Sequence, residues 1–86
     1  MSGFDESAEQ LKELVVYLAR ALVDEPDQVE VQTLEEDRAI VLELSVAPDD
    51  LGKVIGREGR TARAMRTLLS ATPIRENRRV VLDILE

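Results

Sequence analysis

The residues best suited to chemistry lie in one stretch, Leu51-Gly52-Lys53-Val54-Ile55-Gly56-Arg57-Glu58-Gly59-Arg60-Thr61-Ala62-Arg63-Ala64-Met65. Gly56 and Gly59 bracket two residues, so the backbone there can adopt conformations closed to other residues and presents no Cβ to an approaching ligand. Arg57, Arg60 and Arg63 bring guanidinium groups that suit phosphate oxygens, and Lys53 can contribute from the other side. A helix opening at Gly59 and Arg60 adds unpaired N–H groups and the positive end of its dipole. The chemistry this pattern suits is non-covalent capture of an anion, with a phosphate backbone able to come close.

Other chemistries lack their residues. The chain has no Cys and no His, which removes disulfide frameworks, thiolate zinc sites, Cys or His nucleophiles and imidazole acid–base catalysis. Asp49-Asp50 is not a catalytic pair, because adjacent residues at a helix start point in different directions, and favourable charge at the first turn accounts for both. Glu35-Glu36-Asp37 lacks the ordered ligand spacing of a calcium loop, and Gly52-Lys53 lacks the flanking residues of a nucleotide-binding loop. The sequence therefore predicts no enzyme activity, no metal site and no cofactor. The only aromatics, Phe4 and Tyr17, fall outside the glycine segment, so the stacking that gives many single-strand binders about 1–3 kcal/mol per base is not the expected mode here.

Charge is polarised along the chain. Residues 1–50 carry three basic groups against fourteen acidic ones, a net of −11, and residues 51–86 carry eight against four, a net of +4. Such asymmetry suggests a polyanion partner for the basic part, while the overall −7 argues against indiscriminate coating of nucleic acid. Any anion site should be local.

These residues need a scaffold. At 86 residues, 44% of them apolar and almost all of those aliphatic, a single domain over 1–86 with one aliphatic core is expected, its first six residues a short flexible lead. Leu11, Leu14, Val15, Leu18, Ala19 and Leu22 recur at helical spacing, with Ser7 and Gln10 fitting a capping box. Val29, Val31 and Thr33, then Ile40, Leu42, Leu44 and Val46, alternate as strands joined by a short polar turn, which makes them antiparallel neighbours. Pro48 starts a short helix that Gly56 interrupts. In the next helix Ala62, Met65, Leu68 and Leu69 share an apolar arc, Arg60, Arg63, Thr67 and Ser70 lie opposite, and Arg66 falls at the seam. After a basic loop over Ile74 to Arg78, Val80, Leu82 and Ile84 alternate in a last strand. With the helices on one face of the sheet, Leu34, Val41, Val81 and Leu85 are left on the other, either as a partner surface or as scattered exposed aliphatics of a small domain. No apolar run approaches membrane-spanning length and the N-terminus has no secretory pattern, so a soluble, cytoplasmic protein with no membrane partner is expected.

Val54-Ile55-Gly56-Arg57-Glu58-Gly59 is similar to the VIGxxG heart of KH domains, whose GxxG loop clamps the backbone of single-stranded nucleotides between two helices. With Gly59-Arg60-Thr61-Ala62 and Arg66-Thr67-Leu68, the chain resembles the KhpA family of small bacterial RNA-binding proteins over roughly residues 9–85. The resemblance implies an α+β, type II KH domain ordered helix-strand-strand-helix-helix-strand, with a three-stranded mixed sheet, three helices on one face and a KH core over about 39–85. It implies RNA-binding residues Lys53, Val54, Ile55, Gly56, Arg57, Glu58, Gly59, Arg60 and Arg63, with Val80 to Leu82 as a wall and Arg75, Arg78 and Arg79 flanking the far side. It further implies single-stranded RNA as ligand, a homodimer or a heterodimer with a KhpB-like KH protein, and links to cell elongation and cell-wall homeostasis. The alternative is a KH-fold module for protein contacts. Ala62 and Met65 stand where many KH domains carry branched residues, implying a shallower site, and Glu58 faces the phosphate path unless it pairs with an arginine.

Overall fold

The computed structural model describes residues 6–72 and 78–86, with side chains from Ala8 onward. Helix α1 (Glu6–Leu22) buries Ala8, Leu11, Val15 and Ala19, the three-to-four spacing that gives a helix one apolar stripe. Ser7 lies within the helix, so it does not stand ahead of it as the cap the sequence suggested. A 3-10 turn over Pro26–Gln28 redirects the chain into β1 (Glu30–Glu35).

Strand β2 (Ala39–Ser45) runs antiparallel to β1, with Val31 opposite Leu44 and Leu34 opposite Val41. Glu36 and Ala39 close the hairpin by exchanging backbone hydrogen bonds at 2.8 and 3.4 Å. Strand β3 (Arg79–Ile84) runs parallel to β2 on its other side, with Ile40 opposite Val80 and Leu42 opposite Leu82. The sheet is therefore mixed, in the order β1-β2-β3, and among the described residues both outer strands have one free edge. Ile40, Leu42 and Leu44 of the central strand are fully buried while the residues between them are half-buried, the period of two that a one-sided sheet requires.

The covered face meets all three helices. Pro48–Asp50 form a 3-10 turn that feeds α2 (Leu51–Ile55), and α3 (Arg60–Ser70) follows after four residues. Val54 of α2 and Met65 and Leu69 of α3 join Leu11, Val15, Leu42 and Leu82 in one aliphatic core. Leu68 departs from expectation. It lies at the edge of the apolar arc and is 51% exposed, because α3 turns the line of Ala62, Met65 and Leu69 inward. Ala62 and Met65 are themselves buried, so their departure from the KH pattern acts on how α3 is seated.

Asp50 is a charged residue buried in the fold, 1% exposed. Its Oδ2 accepts the Glu25 N–H at 3.0 Å and its Oδ1 lies 3.6 Å from Lys53 Nζ, which ties the turn before β1 to the start of α2. A buried carboxylate needs such partners. On the uncovered face Leu34, Val41 and Val81 line up in one row across the three strands, with Leu85 exposed just past β3.

Candidate nucleic-acid interface

Helix α2 stops because Gly56, while still donating its N–H to Gly52 O at 2.8 Å, takes φ 79° and ψ 168°. That region is essentially restricted to glycine. Thr61 also sits against Gly56: a Cβ there would lie 2.2 Å from Thr61 Oγ1 and 2.8 Å from its backbone nitrogen. The Gly59 N–H donates to Gly56 O at 3.0 Å and closes the turn, and Gly59 enters α3 in the left-handed region at φ 74°. Glu58, at φ 58°, is the only non-glycine residue with positive φ among the described residues.

The turn is held by its own arginines. Arg63 Nη2 donates to Glu58 O at 3.2 Å, and Arg60 Nη2 lies 3.3 Å from Glu58 Oε1. Glu58 is thus paired with Arg60, the arrangement that takes its carboxylate off a phosphate path. Both partners are mostly exposed, so this pair adds little to stability. The Arg57 side chain is exposed and has no hydrogen-bond or ion-pair partner among the described residues, while its carbonyl accepts the Arg60 N–H. No side chain caps the N-terminus of α3, and the N–H of its first residue, Arg60, is donated to Arg57 O, so what this helix start offers an anion is chiefly the positive end of its dipole.

Three of the residues expected at the site have other surroundings. Val54 is fully buried in the core, so it anchors the end of α2 beneath the loop and presents no side chain to a ligand. Ile55 is half-buried next to the turn. Lys53 reaches Asp24 at 3.3 Å and Asp50 at 3.6 Å, committed to the acidic end of α1. Its pKa is raised from 10.5, first by the hydrogen bond to Asp24 and then by that carboxylate's charge. A raised pKa means that this contribution is fully present below 10.5 and is lost as pH rises through the higher folded value. Lys53→Met is therefore expected to flatten the fall in stability above pH 10.5, read from urea midpoints on either side of that value. An unchanged alkaline slope would refute the pairing.

Beyond the turn a groove of about 420 Å³ runs between α3 and β3. Arg63, Arg66, Thr67 and Ser70 form the helical wall and residues 79–82 the strand wall. The polar line of α3 was visible in the sequence; its facing the free edge of β3 was not, and Arg66, Thr67 and Ser70 join the candidate residues on that ground. Arg66 spans the groove floor, donating from Nε and Nη2 to Leu82 O at 3.3 and 3.1 Å. Arg78 Nη1 pairs with Glu35 Oε1 at 3.0 Å, tying the start of β3 to the end of β1. Arg75 lies outside the described residues.

A helix-strand-strand-helix-helix-strand order, a mixed three-stranded sheet and a Gly-x-x-Gly turn between consecutive helices define the type II KH fold. The family model described as KhpA/KhpB, KH domain matches residues 12–84, and the chain belongs to that family. A Clostridium acetobutylicum protein named RNA-binding protein KhpA is 48% identical over 75 residues, 87% of this chain and all of the relative. Proteins of the same name from Caldanaerobacter subterraneus subsp. tengcongensis and Aquifex aeolicus are 51% and 50% identical, over 85% and 88% of this chain and 97% and 96% of their own. No solved structure gives a significant match. The family is non-catalytic, in agreement with the expectation that this chain is not an enzyme.

Proposed function

We propose that this protein binds single-stranded RNA, holding the sugar–phosphate backbone at Gly56-Arg57-Glu58-Gly59 and laying the bases along the groove between α3 and β3. The observation that carries the reading is the position of the turn: a helix start with no side-chain cap and an Arg57 side chain unpaired among the described residues stand at the head of a groove walled by Arg63, Arg66 and Arg79. The relatives' name, RNA-binding protein, supports the same ligand. Among the described residues no helix is long and apolar enough to cross a membrane, in keeping with a cytoplasmic site of action. The whole chain acts as one KH domain, alongside a second copy or a KhpB-like KH protein, in post-transcriptional control or RNA chaperoning linked to cell elongation and cell-wall homeostasis. Those partners and processes rest on the family resemblance.

Fluorescence anisotropy of short labelled RNAs tests the clamp, with Arg57→Asp/Glu58→Asp beside the wild type and folding checked by circular dichroism. The substitution reverses charge at the tip, and aspartate tolerates the left-handed position of Glu58. The expected result is saturable wild-type binding that weakens at least about tenfold in the folded variant, with a salt slope of about −0.7 per phosphate held. Wild type that binds no RNA would favour the protein-contact reading, for which the row of exposed Leu34 and half-buried Val41 and Val81 is the starting surface.

A further inference from the structure

Among the described residues, strand β3 pairs on one side only. Arg79 donates its N–H to Arg38 O at 2.9 Å and Leu85 donates to Leu44 O at 2.8 Å. Alternate residues of a strand direct their backbone groups to opposite edges, so Arg79, Val81, Asp83 and Leu85 face β2 and the N–H and C=O groups of Val80, Leu82 and Ile84 point to the free edge. A bare Leu82 would offer a donor beside an acceptor. That pair complements adenine, which presents an amino donor next to a ring-nitrogen acceptor.

Arg66 changes this surface. Both its Nε and its Nη2 are on Leu82 O, so the acceptor is covered and the other N–H donors of the same guanidinium line the groove in its place. Thr67 and Ser70 turn their hydroxyl protons back to Arg63 O and Thr67 O at 3.0 and 2.9 Å, leaving them as acceptors. The donors beside Leu82 therefore come from Arg66, Arg63 and the Leu82 amide. We propose that Arg66 sets the base preference of the groove, converting the free edge of β3 from an acceptor into a donor surface that favours guanine, with its O6 and N7 acceptors, over adenine. The inference rests on the RNA-binding reading above.

Anisotropy with labelled hexauridine carrying a single internal G or a single internal A tests it, using wild type, Arg66→Ala and Arg66→Lys with folding checked by thermal melting. Wild type is expected to bind the G-containing RNA about fivefold or more tighter than the A-containing one. Arg66→Ala frees the Leu82 carbonyl, and the ratio falls to unity or reverses. Arg66→Lys keeps the charge but not the planar fork of donors held on the Leu82 carbonyl, so the A-containing RNA is expected to bind within about twofold of wild type while the G-containing RNA binds several-fold more weakly and the ratio falls toward unity. If Arg66→Ala fails to fold, the lysine variant carries the test. A folded variant that retains the wild-type ratio overturns the proposal, as does wild type that binds both RNAs equally. Wild type that binds neither RNA overturns the RNA-binding reading itself, a result distinct from loss of preference.

Discussion

Gly56→Ala is expected to cost roughly 3–5 kcal/mol of folding stability, the sum of a backbone conformation closed to alanine and a steric clash beneath it. The new Cβ would meet Thr61 Oγ1 at 2.2 Å, and shortening that side chain would not relieve it, because the Thr61 backbone nitrogen is only 2.8 Å away. The two glycines of the turn then separate in size of effect. Gly59 has φ 74°, but a Cβ there would find Arg63 Nη2 at 3.9 Å as its nearest atom, so Gly59→Ala should cost only the left-handed backbone penalty of about 1–2 kcal/mol. Gly52 has open space and lies inside α2, so Gly52→Ala should gain about 0.5–1 kcal/mol. For a domain of this size, whose whole stability is on the order of 5–15 kcal/mol, the first change removes much of the margin. Urea midpoints of the three variants measure the series. Equal losses at Gly56 and Gly59 would show that the approach of Thr61 does not shape the turn.

The second large effect separates two adjacent leucines. Leu69 is 1% exposed in the core between α3 and the sheet, so Leu69→Ala should cost about 2–5 kcal/mol through lost burial and the cavity left behind. Leu68, at 51% exposed, should lose less than about 1 kcal/mol on the same substitution. Thermal denaturation of the pair decides it, and comparable losses would mean that α3 is rotated relative to the orientation described. Because α3 carries Arg63 and Arg66, its rotation also sets which side chains reach the groove.

Much of the fold was legible because its causes are local. The apolar stripe of α1, the alternation in β2, the 3-10 turn at Pro48 that leads into α2 and the stop of α2 at Gly56 each express a period or a turn preference among near neighbours. The polar turn between β1 and β2 made them antiparallel neighbours, as observed. The glycine turn at Gly56 to Gly59 was legible for the same reason, since two glycines at that spacing between helical segments mark a special backbone. Three readings fell short where an environment was needed. Lys53 has the right charge beside the loop, but Asp24, 29 positions earlier, holds it. Val54 belongs to the motif and lies in the core. Arg66 sits at the seam of the helical arc, and only the free edge of β3 gives it a partner.

The sequence by itself determined the order and type of the elements, the aliphatic one-sided core, the separation of acidic and basic halves, and the glycine turn with its arginines. Those features depend on residue type and short spacing, which periodicity and backbone preference reveal. The tertiary structure alone decided which face of α3 looks at β3, that Glu58 pairs with Arg60, that Arg66 covers the Leu82 carbonyl, and that Leu34, Val41 and Val81 align across three strands. Most of these contacts join residues far apart in the chain. Their existence follows from strand register and helix rotation, which the packing of the core sets collectively and no local pattern encodes.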